Sequence, residues 1–398
     1  MRLVLYTGKG GVGKTTTAAA AAVCAAQRGR RTLVASADAA HSLGDVLLRR
    51  LGAEPAQVAP GLDAVEIDAR VEVARHWGRI QDYLVAAFLY HGVEAVVAEE
   101  LAMLPGAEEI VTLLAVERIA ASGRYDHVVI DCAPTDGALR LITLPEVARG
   151  MLRVALPVLE AISGVAVPVA RRLLSVPLPD RDVFREAEEL LYRRLAALQK
   201  RLTDPRTSAR LVLTPERMVI DEARRTYTEL SLFEVGCDAV VLNRMLPAAA
   251  AEIDFFRDWS RVQAERRREI AELFAPLPVL EAPLQDDEVT GLERLAAHGG
   301  QLFADAAPDA LLCEAPRVRF ERDGDEFVAV VPLPRAEAQQ LDVAKLGEDL
   351  VVSTASRRRA IRLPRRLAAL SLKGARLAGP SLLVRFARAA EGEAAEAR

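Results

Sequence analysis

Residues 8 to 16 read "GKGGVGKTT", and their spacing satisfies two phosphate-binding patterns at once. Gly8, Gly10 and Gly13 fit the dinucleotide fingerprint G-x-G-x-x-G, while Gly8, Gly13, Lys14 and Thr15 fit the phosphate-loop pattern G-x-x-x-x-G-K-[ST]. The two residues after the last glycine separate the patterns. A dinucleotide site has no use for an ammonium and a hydroxyl there. A phosphate loop needs both, Lys14 to bridge the β- and γ-phosphates of ATP and Thr15 to hold Mg²⁺. Glycines at 8, 10, 11 and 13 let the backbone N–H groups around Val12 turn inward on an anion. A helix starting near Lys14 and Thr16 aims its positive dipole end at the same place.

Hydrolysis also needs an oriented water and a carboxylate linked to the metal, which α/β folds supply at strand ends. Asp38 follows one apolar run in "ASADAAHSLGD", and Asp131 closes another in "VVIDCAPTDGALRL". An apolar or β-branched run ending in Asp has the Walker-B form, whose carboxylate reaches Mg²⁺, usually through water. As an isolated pattern it is weak; beside a phosphate loop it gains weight.

These residues must be carried by an alternation of strands and helices. Residues 1 to about 300 alternate short apolar strands with helical stretches, the pattern of a doubly wound, mostly parallel α/β sheet. The expected strands are Leu3 to Thr7, Thr32 to Ser36, Val128 to Asp131, Ala209 to Leu213 and Ala239 to Leu242. Two helix-prone, apolar insertions, near 70 to 120 and 145 to 205, break the rhythm. Phe88, Val93, Val96, Val97, Leu101 and Leu104 recur at helical spacing in the first, and Leu191, Leu195, Leu198 and Leu202 in the second. Such stripes are ordinarily core. If instead they line a groove, Phe88, Val93, Val97, Leu101, Met103 and Leu104 would face it from the first insertion. Met151, Leu152, Leu156, Val158 and Ile162 would face it from the second.

After Pro308 the texture changes to period-two alternation. "RVRFERDGDEFVAVVPLP" reads as strand, Asp-Gly turn, strand, and "DLVVSTASRRRAIRLP" and "PSLLVRFAR" continue it. The expected division is a phosphate-loop ATPase domain over 1 to 307, an all-β sandwich over 316 to 388 and a disordered tail over 389 to 398. Between Arg357 and Arg388 lie ten Lys/Arg and no Asp/Glu, so this stretch is basic in an acidic chain: a solvated strand face, or a surface for an acidic partner.

At 398 residues, 51% hydrophobic and 27% charged with net charge −4, the composition is that of a soluble protein and gives no reason to expect nucleic acid. Cys24, Cys132, Cys237 and Cys313 lie far apart without C-x-x-C, which argues against a disulfide framework or a local zinc site and suits a reducing cytoplasm. The N-terminus enters a strand at once, without the features of a signal peptide. No apolar run reaches about 18 residues without charge or proline, since "VALPVLEAISGVAVPVA" contains Glu160 and two prolines, so no integral membrane segment is expected, although transient contact with a membrane or receptor is compatible with that.

Several motifs in order carry a resemblance. "GKGGVGKTT", "SADAAHSLGD" and "DCAPTDGALRLITLP" resemble the deviant phosphate loop, first switch and second switch of the arsenical-pump and tail-anchored-protein-targeting ATPases, with the MinD and ParA ATPases as more distant relatives. The similarity continues through "LTPE" at 213 to 216, "VVLNRML" at 240 to 246 and "APLQDDEVTGLERL" at 282 to 295. It implies that Lys9 reaches across a homodimer to the partner's nucleotide, that Asp38 positions the attacking water and that Asp131 works near the metal. It also implies that Asn243 reads the adenine edge, with Pro283 beside the nucleotide and Glu216 near the nucleotide and the dimer contact. An Asn amide offers both the donor and the acceptor such an edge requires. The C-terminal segment is similar to the α-crystallin (small heat-shock protein) module appended to some members. Departures stand at Ala39, where the family has Pro, and at Asp136 and Gly137, which replace part of the second-switch "PTGHT". The zinc-binding C-x-x-C of the targeting members is absent from 247 to 280, which read as a charged helix.

The resemblance implies an ATP-driven homodimer whose insertions bind hydrophobic client segments. Energising metalloid export is the alternative, and it calls for clustered soft thiolates. A MinD- or ParA-like positioning ATPase would call for a C-terminal amphipathic helix or a strong basic surface. A passive holdase would have no use for Lys14, Thr15, Asp38 and Asp131 together.

Overall fold

The computed structural model describes residues 1–133 and 193–388, apart from 39–41, 77, 91, 103–106, 305 and 325. In chain order the elements begin β1 Arg2–Thr7, α1 Lys14–Gln27, β2 Thr32–Ser36, α2 Leu43–Leu47, β3 Ala56–Ala59 and β4 Leu62–Glu66. Four helices come after them, α3 Ala69–His76, α4 Gly78–Tyr90, α5 Ala95–Ala102 and α6 Ala107–Ala121, and then β5 His127–Asp131. Next come α7 Leu195–Leu202, β6 Thr207–Leu213, α8 Arg217–Leu232, β7 Cys237–Met245, α9 Asp254–Phe274, β8 Val279–Pro283 and α10 Gly291–Phe303. The chain closes with β9 Arg319–Asp323, β10 Glu326–Pro332, β11 Asp342–Leu346, β12 Asp349–Ser353, β13 Arg358–Arg362, α11 Arg365–Ala368, β14 Ser371–Ala378 and β15 Ser381–Ala387. No described helix is long and apolar enough to cross a membrane.

Two compact units contain these elements. The first is Met1–Thr207 with Gln285–Ala310. Its strands lie in the order β3-β4-β2-β5-β1, all parallel except the antiparallel pair β3 and β4. β1, β2 and β5 are apolar without alternation because both of their faces are covered, the mark of interior parallel strands. The alanine-rich α1 buries Ala18 to Ala22 completely. α10 lies so close to it that a Cβ on Gly299 would stand 2.4 Å from Cys24 Sγ and 2.8 Å from the Ala20 carbonyl. The first insertion forms α3 to α6, tied by the buried Glu72 carboxylate, which accepts from Arg118 Nη2 at 2.9 Å. Of the second, only α7 and its flanks are described. There Leu198 and Leu202 are buried core, as a helical leucine stripe ordinarily is.

The second unit is Ser208–Leu284 with Leu311–Arg398. β6, β7 and β8 run parallel in that order, and a completely buried ion pair at 3.2 Å joins Arg210 of β6 to Asp238 of β7. The C-terminal strands build two antiparallel sheets, β14-β15-β10-β9 and β11-β12-β13. Alternate residues of β15 (Leu382, Val384, Phe386) are buried, so its period-two pattern marks one covered face. The strands β3, β4, β8, β11 and β14 were not expected from sequence. β3 and β14 are edge strands whose residues are largely half-buried or exposed, while β4 and β8 carry Asp63, Glu66, Glu281 and Pro283, so an apolar-run criterion passes over them.

Candidate nucleotide site

Strand register brings the candidate groups of the first unit to one edge. Asp131, the last residue of β5, is paired with Tyr6 of β1 on one side and with Ser36 of β2 on the other. The backbone continues that match, since Cys132 N donates to the Tyr6 carbonyl at 3.0 Å and Ala37 N to the Asp131 carbonyl at 2.8 Å. Three parallel strands therefore end level. The phosphate loop leaves from the first, the Asp38 segment from the second and Asp131 from the third, at the carboxyl edge where open α/β sheets hold ligands.

The loop keeps the shape its glycines permit. Gly11 at φ 81° and Gly13 at φ 93° hold left-handed backbone that L side chains rarely adopt. A Cβ on Gly11 would meet nothing within 4 Å, so glycine is needed there for conformation and not for space. Gly13 is the N-cap of α1 and offers no side-chain cap, and no acidic residue occupies the first turn. The first N–H groups of α1 are thus left to an anion. Lys14 is buried, with its ammonium donating to the Lys9 carbonyl at 3.3 Å across the loop. Thr15 and Ser42 share a hydroxyl hydrogen bond at 3.2 Å.

Asp131 is buried, with the Thr15 and Ser36 hydroxyls beside its carboxylate but no closely formed hydrogen bond to either oxygen among the described residues. Burial pushes its carboxyl up to about 6, opposed by the neighbouring Thr15 and Ser36 hydroxyls and the Lys14 ammonium, while the nearby Asp38 charge adds to the rise. Asp38 is half-buried, its N–H donating to the Ser36 hydroxyl at 3.3 Å. A buried carboxylate whose oxygens are not saturated by donors among the described residues, beside a threonine hydroxyl, fits a hard divalent cation that keeps most of its waters. Among the described residues no three His, Cys, Asp or Glu side chains gather into a cage of their own. Ser36 and Ser42 are site residues that sequence reasoning did not single out; Ser42 lies inside "DAAHS", where the quoted motif was the available signal.

The remaining expected residues lie in the second unit, also at carboxyl ends of strands. Asn243 is buried near the end of β7, its Oδ1 accepting from Arg244 N at 2.9 Å. Pro283, the last residue of β8, is register partner to Met245 of β7. The exposed Glu216 is the N-cap of α8, and its carbonyl accepts from Val219 and Ile220. Ala39, Asp136 and Gly137 lie outside the described residues.

Residues 1–304 match the family described as anion-transporting ATPase, and residues 324–386 match the HSP20-like domain found in ArsA. The "Putative arsenical pump-driving ATPase 1" of Aquifex aeolicus is 32% identical over 394 residues, which cover 96% of this chain and 99% of its own. A protein named "Putative arsenical pump-driving ATPase" from Chlorobaculum tepidum is 34% identical over 92% of this chain and 90% of its own. "ATPase ARSA2" of Chlamydomonas reinhardtii is 28% identical over 77% and 86%.

Proposed function

The chain belongs to the ArsA-type anion-transporting ATPase family and carries that family's HSP20-like domain, and from this premise we propose that it works as a nucleotide-switched homodimer binding hydrophobic client segments. It is an ATPase. In this reading the loop amides of residues 8 to 16 and Lys14 would hold the phosphates, and Thr15 and Asp131 would hold Mg²⁺, whose charge would offset that of the phosphoryl group. Asp38 orients the attacking water. Asn243, Pro283 and Glu216 attend the base and the nucleotide's edge, and Lys9 completes the partner's site.

One observation carries the client reading. The described part of the first insertion exposes large apolar residues, Val96 at 68% and Val97 at 43%, with Leu89 and Tyr90 also exposed and Phe88 and Val93 half-buried. A core stripe does not behave so, and clustered exposed apolar surface usually marks an interaction site. The Leu101 side chain, Met103, Leu104, Met151, Leu152, Leu156, Val158 and Ile162 lie outside the described residues. The test is thermal melting beside suppression of aggregation of a hydrophobic client, with and without ATP, for V96D and V97D. The expected variants melt and hydrolyse ATP like the parent yet no longer protect the client. A melting point lower by tens of degrees, with hydrolysis lost, would make these residues core and remove the reading.

The relatives' printed names favour a second reading, the energising of arsenical export. Its thiolates are poorly served here: Cys24, Cys132 and Cys237 are buried, and burial pushes all four thiols up. Arsenite raising turnover severalfold, with the rise abolished by Cys-to-Ser replacement, would put this reading in place of the first.

A further inference from the structure

Ser42 is the N-cap of α2, and a serine there ordinarily turns its hydroxyl back to accept an N–H of the first helical turn. In this helix it makes no such bond. Its hydroxyl instead meets that of Thr15 at 3.2 Å, on the helix that follows the phosphate loop. The N–H left over, that of Gly44, donates to Glu66 Oε1 at 2.8 Å. Glu66 is the last residue of β4, in the same compact unit, and belongs to none of the motifs read from the sequence.

The strand ladder fixes where that carboxylate starts from. Glu66 is register partner to Ser36, the last residue of β2, and Ile67 N donates to the Ser36 carbonyl at 3.0 Å. The Ser36 hydroxyl in turn accepts from Asp38 N at 3.3 Å. Two neighbours on the sheet's carboxyl edge thus hold the chain on either side of Ser42, Ser36 at Asp38 and Glu66 at Gly44. Gly44 has no side chain to obstruct this, since a Cβ there would stand 2.8 Å from the Arg49 carbonyl and 3.4 Å from Glu66 Oε1.

We propose that Glu66 is a positioning residue of the nucleotide site: it caps α2 from the neighbouring strand and so leaves the Ser42 hydroxyl free to orient Thr15. A hydroxyl that turns a lone pair toward a cation must donate its proton elsewhere, and Ser42 Oγ stands at hydrogen-bond distance to take it. Without Glu66 the orphaned Gly44 N–H would draw Ser42 back to its ordinary cap and away from Thr15. The proposal rests on the reading that Thr15 holds Mg²⁺.

Mg²⁺ titrations of a fluorescent, non-hydrolysable ATP analogue on the full chain, beside hydrogen exchange without nucleotide, test it. E66A should speed exchange at Gly44. It should also raise the Mg²⁺ needed for half-maximal tightening of the analogue by about 10-fold, the lower end for a lost partner of a metal-ligating group. E66Q keeps an acceptor oxygen and should follow the parent in both. S42A should match E66A in Mg²⁺ dependence, and the double variant should be no worse than either single one, because both remove the same orientation of Thr15. Should E66A fail to fold, E66D, which keeps the charge but is shorter by one methylene, should show the same two effects. Parent-like exchange or Mg²⁺ dependence in the alanine variant or its aspartate stand-in, or losses that add in the double variant, overturn the proposal and leave the ATPase reading standing. T15A titrating like the parent overturns the placing of Thr15 at the metal, and the proposal falls with it.

Discussion

The charged groups around the phosphate loop divide the work by environment. Lys14 is buried with its ammonium on the Lys9 carbonyl, and Asp131 is buried beside the Thr15 and Ser36 hydroxyls; in the proposed reading the first would meet phosphate and the second the metal. Asp38 is half-buried beside Ser36 and stands beyond the end of the β2 ladder, and in the proposed reading it orients water and does not hold phosphate. D38N should therefore bind ATP within a few-fold of the parent and lose roughly 10² or more in turnover, the range typical of a lost base or positioner. Steady-state hydrolysis beside equilibrium nucleotide binding reads both quantities, and unchanged turnover removes Asp38 from the role. Lys14, Thr15 and Asp131 were legible in the sequence because a phosphate loop is a local pattern of fixed spacing and Asp131 closes an apolar strand. Ser36 and Ser42 were not, since a hydroxyl carries no signature until a strand register or a hydrogen bond gives it a neighbour. Asn243, Glu216 and Pro283 were approached through resemblance alone, because their roles depend on strand ends far apart in the chain.

Among the elements, α1 and α10 show how little room a phosphate-loop helix allows. α1 is alanine-rich because its flank is pressed against a neighbour, and α10 answers with adjacent glycines that differ in kind. A Cβ at Gly299 would meet Cys24 Sγ at 2.4 Å and the Ala20 carbonyl at 2.8 Å, whereas one at Gly300 meets nothing within 4 Å. Alanine favours a helix interior over glycine by about 1 kcal/mol, so G300A should stabilise the protein by up to about that amount. G299A makes the same gain in propensity but forces the helices apart, and should cost about 1–3 kcal/mol net. Adding C24A should recover only part of that loss, because the Ala20 carbonyl is backbone and cannot turn aside. Denaturant unfolding of the four proteins decides it; equal signs for G299A and G300A would mean that the helices are not packed this closely in solution. Propensity alone does not rank the two glycines, because each is an equally weak helix former. The interior strands β1, β2 and β5 were legible for the opposite reason, since burial on both faces leaves an uninterrupted apolar run. Edge strands such as β3 and β14 keep polar residues facing water and lose that signal.

At the scale of the whole molecule, the basic stretch from Arg357 to Arg388 changes meaning once folded. Arg357 and Arg359 meet Glu229 and Glu234, Arg362 meets Glu348 and Asp349, and Arg385 meets Asp323 and Glu326. The charge asymmetry visible in the sequence is thus partly an internal lock. Nothing in a linear reading pairs cations of one segment with carboxylates of another. The same limit applies to association: two ATP molecules facing each other across a dimer would bring like charges together, and an ammonium such as that of Lys9 placed between them would reverse the sign of the interaction. At about 4 Å and an effective dielectric constant near 20, a single pair of unit charges is worth about 4 kcal/mol, enough to decide whether nucleotide closes or opens the assembly. ATP should therefore drive the parent toward a dimer, and hydrolysis per chain should rise with protein concentration until the dimer is saturated. K9A should bind ATP yet hydrolyse it poorly and show a weaker rise. Light scattering with ATP and specific activity across a hundredfold concentration range check both; activity per chain that is flat in the parent and unchanged in K9A would mean that each chain completes its own site, with Lys9 serving only as the carbonyl that Lys14 holds.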